Sequence, residues 1–252
     1  DGKQALVSLY GKTVDTLRPK PELLADLDVI LFDIQDIGSR YYTYQATLGY
    51  MMEVAAKTST QIVVLDRPNP IDGLTLEGNI VQPGFESFVG AYPLAVRHGM
   101  TMGELAIYFR DVLGIACNLD IIRCEGWERH EWFDQTGLPW VFPSPNMPTL
   151  ETATIYPGLC LIEGTNVSEG RGTTRPFHLV GAPWFDANEL CRLCRLGAQD
   201  AALEGVIFRA ATFEPRFQRF AGQPCNGIEI LVADQLVLNA LLFGLVVIET
   251  CM

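Results

Sequence analysis

Two stretches, DVILFDIQD at 28–36 and TQIVVLDRPNP at 60–70, decide the fold of this chain. Each carries an unbroken apolar and β-branched run that ends in an aspartate, Asp33 in the first and Asp66 in the second. A strand apolar at every position is what a parallel sheet covered on both faces requires. Between them, RYYTYQATLGYMMEVAAKT sets Tyr44, Leu48, Met51, Met52 and Ala55 at helical spacing after a Gly38-Ser39 break. Strand, helix and strand with polar strand ends make a βαβ unit, so the chain is expected to be α/β. In open sheets of this kind ligands sit beyond the carboxyl ends of the strands. That puts Asp33, Gln35, Asp36, Arg40, Asp66, Arg67 and Asn69 on one rim. The competing use of Asp33 and Asp66 is structural, because a strand-end aspartate also suits the cap of the next helix.

Working outward, ALVSLY at 5–10 reads as a further strand, and Pro21 with Glu22 suits the first turn of a short helix. Residues 71–100 hold no sustained period, and an irregular stretch of that length in a compact domain points to function. It contains Glu77 and His98. MTMGELAIYFRDVLG predicts a helix with Thr101 as N-cap and Glu104 at capping-box spacing, and NLDIIRCEGW predicts another strand. The sheet domain is expected to span 1–140, followed by a smaller α+β domain at 141–252. The second carries strands at GVIFRAATF and GIEILVAD, which bracket a loop with Arg216, Arg219 and Cys225. Its closing run, LVLNALLFGLVVI at 236–248, is interrupted by Asn239 and too short to cross a bilayer, so it reads as a buried helix.

Composition excludes several classes. A hydrophobic content of 48% with 19% charged residues belongs to a globular chain. A net charge of −12 argues against nucleic acid or an anionic membrane as partner. Seven scattered cysteines make no disulfide framework, and CRLC at 191–194 sits in a helical pattern without a second pair. With three histidines and no HExxH, no metal or other cofactor is expected, and a chelator should leave activity intact. GxGxxG after a strand, GxxxxGK[ST] and GxSxG are all absent, which sets aside dinucleotide, P-loop and serine-hydrolase chemistry.

What remains concentrates in EGTNVSEGRGTTR at 163–175. Glu163 and Glu169 are acid–base groups, Arg171 and Arg175 are forks for a carboxylate, Asn166 is an amide, and Gly164, Gly170 and Gly172 permit close approach. Carboxylates with amides, arginines and tyrosines are the equipment of glycoside hydrolysis, and equally of a non-catalytic sugar- or carboxylate-binding protein.

FDIQDIGSRYYTY (32–44), LDRPNPIDG (65–73), FESFVGAYPLAVRHGMTMGELA (85–106), GLPWVFPSPNMPT (137–149) and EGTNVSEGRGTTRPF (163–177) together resemble the exo-β-N-acetylmuramidases of the NamZ type. The resemblance runs over nearly the whole chain. It implies a Rossmann-like N-terminal domain and a smaller C-terminal one, with the active site in the cleft between them. It also implies release of N-acetylmuramic acid from the non-reducing end of peptidoglycan glycans during bacterial cell-wall turnover. On that resemblance Glu169, Asp36 and Glu163 are the catalytic carboxylates. Arg171, Arg175, Arg40 and Arg67 are candidates for the lactyl carboxylate, Asn69, Asn166 and Gln35 for the acetamido group and hydroxyls, and Tyr42 and Tyr44 for a sugar face. Asp33, Asp66 and His98 complete the expected substrate-binding set. The saccharide is the implied partner, and a secreted or periplasmic parent the implied setting. Family members carry a further N-terminal stretch with the first strands of the sheet and a Glu-His-Gly loop, so the chain as it stands is expected to be inactive or nearly so.

Overall fold

Strand β1 (Val29–Phe32) lies parallel to β2 (Gln61–Leu65), and β2 parallel to β3 (Leu119–Ile122), in the computed structural model of the chain, which describes residues 6–9 and 13–252. The sheet order β1-β2-β3 with helix α2 (Tyr44–Ala55) between the first two strands is the expected βαβ unit. Helix α1 (Pro21–Leu24) precedes β1 with Pro21 at its first position, and α3 (Met102–Asp111) lies between β2 and β3. This unit runs to Leu74 and adds Ile80–Leu94 and Gly99–Glu131.

Phe32, Ile62 and Val64 pack with Leu48 and Met52 of α2 and Leu105 and Phe109 of α3 in one core. The opposite side of β1 departs from expectation. Leu31 is 63% exposed and Val29 46%, so the all-apolar strand is covered on one face by the described elements rather than on both. The expected strand at 5–10 does not form over residues 6–9, and its remaining positions lie outside the described residues.

The second unit takes Thr75–Asn79, Ala95–His98 and Trp132–Met252. Its antiparallel sheet has the order β4 (Leu179–Ala182), β6 (Cys225–Val232), β5 (Val206–Phe213). Cys225 therefore opens a strand instead of sitting in the preceding loop. Helices α4 (Leu150–Leu159), α5 (Ala187–Asp200) and α6 (Ala240–Cys251) complete it. Gly158 of α4 meets Gly244 of α6 so closely that a methyl on Gly158 would lie 2.9 Å from the Gly244 Cα. Asn239 does not interrupt α6. It is the N-cap, accepting from the Leu242 amide at 2.9 Å. Cys191 and Cys194 are buried in α5, and no cluster of three or more His, Cys, Asp or Glu able to hold a metal occurs among the described residues.

Candidate active site

In the first unit the rim residues gather, but most are occupied with holding loops. Asp66 accepts from the Gly103 amide at 2.7 Å and the Thr101 hydroxyl at 2.9 Å, tying the tip of β2 to the N-terminus of α3. Asn69 is buried, donates to the Met100 carbonyl at 3.1 Å and accepts from the Ile71 amide. Asp36 is buried and accepts from the Gly38 amide at 2.8 Å. Gly38 has φ +79°, and a Cβ there would fall 2.4 Å from the Asn69 amide oxygen, so glycine lets the two strand-tip loops touch. Gln35 donates to the Pro68 carbonyl at 3.0 Å. Arg67 closes on Asp33 through Nε at 2.8 Å and Nη2 at 2.5 Å, and Arg40 is buried with Nη1 on the Leu94 carbonyl at 2.6 Å. Tyr42 and Tyr44 face each other edge-on with centroids 5.0 Å apart. Beside Asp66 lies a cleft of about 340 Å³ that Arg123 and Trp127 help to line, two residues the sequence reading passed over.

In the second unit the glycine loop is held rigidly from outside. Arg219 donates to the carbonyls of Thr165 and Val167, the latter at 3.0 Å. The Arg216 amide donates to the Gly172 carbonyl at 2.8 Å. Gly170 and Gly172 both have positive φ, +79° and +84°, and a Cβ on Gly172 would fall 2.7 Å from the Phe217 carbonyl. The backbone thus turns twice around Arg171 and directs it inward over the Phe177 ring, 5.0 Å from its centroid. There Arg171 bridges both glutamates, with Nη2 2.6 Å from Glu163 and Nε 3.1 Å from Glu169. Glu169 is buried while Glu163 is part-exposed. Burial, reinforced by the Glu163 charge, holds the Glu169 carboxyl above the usual carboxylate range despite Arg171 and Arg219. The two carboxylates thus sit in unequal surroundings, one buried and one open to solvent. Asn166 is exposed on the same loop.

His98 is also buried, in the segment of this unit that contains Arg97. Arg97 pairs with Glu77 at 2.8 Å, and Glu77 also accepts from the Leu241 amide at the start of α6, which gives Glu77 a structural use.

A second cluster in this unit was not anticipated. Arg175 lies 3.6 Å from Glu151 and 3.4 Å from Glu229, Arg209 pairs with Glu229, and His178 contacts the Ile230 carbonyl at 2.9 Å and the Thr152 hydroxyl at 3.3 Å. Burial is the main cause that lowers the His178 pKa and keeps the ring neutral. A lone glutamate in the apolar run GIEILV was the signal available in the sequence, since a buried charge needs a partner.

Residues 2–151 match the family model described as Exo-beta-N-acetylmuramidase NamZ, N-terminal, and residues 154–252 match Exo-beta-N-acetylmuramidase NamZ, C-terminal. The chain belongs to the NamZ family. It is 47% identical over 243 residues to the peptidoglycan beta-N-acetylmuramidase NamZ of Bacillus subtilis (strain 168), a match over 96% of this chain and 57% of that protein. Two DUF1343 family crystal structures from Bacteroides fragilis NCTC 9343 share the fold. One has a TM-score of 0.87 at 36% identity, over 96% of this chain and 62% of the other, and the second 0.68 at 29%, over 86% and 56%. The chain thus spans little more than half the length of the relatives it matches.

Proposed function

We propose that this chain is the body of an exo-acting β-N-acetylmuramidase that removes N-acetylmuramic acid from the non-reducing end of peptidoglycan fragments. The observation that supports this most is the Glu163–Arg171–Glu169 constellation, with Glu169 buried and its proton held more tightly than usual, in a chain whose relative is named for that activity. Glu169 would protonate the glycosidic oxygen as the bond breaks. A second carboxylate of the same unit, Glu163 beside it, would act as nucleophile or activate the water. Arg171, spanning both glutamates, acts here as the clamp that positions them and not as a reader of substrate. An arginine elsewhere would recognise the lactyl carboxylate that distinguishes muramic acid from N-acetylglucosamine.

The test is release of para-nitrophenol from its β-N-acetylmuramic acid glycoside beside the N-acetylglucosamine glycoside. It is run on this chain and on the protein extended to the span of its relatives. Turnover of the muramic compound, with little of the other, is expected in at least the longer form. Turnover of neither would favour the sugar-binding reading.

A further inference from the structure

Four arginines were candidates to read a substrate carboxylate, and three have other engagements. Arg40 gives Nη1 to a backbone carbonyl in a buried setting, Arg67 turns two donors on Asp33, and Arg171 spans Glu163 and Glu169. Arg175 differs. It is drawn by charge toward Glu151 and Glu229 at 3.6 and 3.4 Å, with a hydrogen bond to neither. Both of those glutamates are satisfied elsewhere. Glu151 accepts from the Val232 amide at 3.1 Å, and Glu229 pairs with Arg209. Arg175 Nη2 does approach His178 Nδ1 at 3.2 Å, yet that nitrogen also lies 2.9 Å from the Ile230 carbonyl. A carbonyl only accepts, so Nδ1 carries the hydrogen in the neutral ring and has no lone pair for Arg175. Nε2 is then the acceptor, matching the Thr152 hydroxyl at 3.3 Å. The Arg175 side chain, 38% exposed, lines a cleft of about 180 Å³ and makes no hydrogen bond to either glutamate there. Thr149, Thr152, Thr174, Glu151 and His178 line that cleft with it.

We infer that this cleft is the subsite for the carboxylate-bearing substituent of the sugar, with Arg175 as its specificity-determining residue. The inference rests on the muramidase reading and deepens it. A guanidinium fork grips a carboxylate through two parallel N–H···O bonds, a geometry that neither glutamate around Arg175 attains. Threonine hydroxyls at the mouth suit the ether and hydroxyl oxygens next to that carboxylate. With His178 held neutral by burial, Arg175 is the lasting cation among the lining residues, so discrimination should persist through neutral pH.

The test is binding to the whole protein of free N-acetylmuramic acid, its methyl ester and N-acetylglucosamine, followed by calorimetry or NMR shifts. The wild type should prefer the free acid over the ester by about tenfold or more, as expected for a charge-assisted pair. Arg175→Gln should bring the three ligands level. Arg175→Lys keeps the charge but not the fork, and should leave only a few-fold preference. Arg192→Gln, on the exposed face of α5, should keep the full preference. If Arg175→Gln is unfolded by its melting curve, Arg175→Lys decides alone, and an undiminished preference in it overturns the assignment. A wild type that prefers the acid together with an Arg175→Gln protein that also does would sink the subsite and leave the muramidase reading standing. A wild type indifferent to the carboxylate would sink both.

Discussion

Glu169 is the proposed acid, and its buried environment bears on stability as well as rate. Burial raises its pKa in the folded state above the ordinary glutamate value. The folded protein thus binds this proton more tightly than the unfolded chain does. The contribution is fully present below the ordinary pKa and is lost as the pH rises through the folded one. Glu169→Gln cannot ionise, so it should melt at a higher temperature than wild type at neutral pH, with the gap closing toward about pH 4. The same variant should lose turnover by about 10²-fold or more. A melting temperature below wild type at neutral pH would contradict the burial argument. At this scale the composition of the loop was legible in the sequence, but the partners of its charged residues were not. EGTNVSEGRGTTR stands out by its polar composition, whereas the different partners of Arg171 and Arg175 depend on loop 214–222 and on strand β6, neither of which is near in sequence. Asp66 and Asn69 read equally well as binding or structural residues, and their hydrogen bonds support the structural use.

Among the elements, α3 was legible down to its capping box. Thr101 accepts from the Glu104 amide at 3.2 Å, and Glu104 accepts from the Thr101 amide at 3.0 Å, because both partners are local. Thr101→Ala should cost about 1 kcal/mol in a urea melt, with the loss of its hydroxyl bond to Asp66 adding to the cap effect. Helix α4 was not foreseen. Pro157 and Gly158 lie near its C-terminal end, and the close crossing of α4 with α6 shows why residue 158 is a glycine. Gly158→Ala would push a methyl into the α6 backbone, so a loss of about 1–3 kcal/mol is expected in the same melt, and an unchanged midpoint would refute the close crossing. Glu77 lies in a long irregular segment whose sequence does not separate a site role from a structural one. Its side chain and that of Arg97 are 4% and 3% exposed, and removing one partner of a buried pair strands the other. Glu77→Ala should cost about 3–5 kcal/mol in stability.

For the molecule as a whole, the α/β class followed from two apolar runs, each ending in aspartate, because strands buried in a parallel sheet read as near-continuous apolar runs. The exposed face at Val29 and Leu31 was not legible, since an apolar side chain does not say whether anything covers it. The antiparallel sheet was half legible: β5 and β6 are long, while β4 is four residues inside FHLVGAPWF and is defined only by its pairing with β6. The proposed activity is glycoside hydrolysis, as opposed to the mere holding of a sugar. The most direct measurement is mass spectrometry of products after the protein, extended to the span of its relatives, is incubated with an N-acetylmuramyl-β-1,4-N-acetylglucosamine disaccharide. Free N-acetylmuramic acid should accumulate with wild type and not with Glu169→Gln, while both proteins bind the disaccharide. Binding by the wild type without release of either sugar would contradict the account.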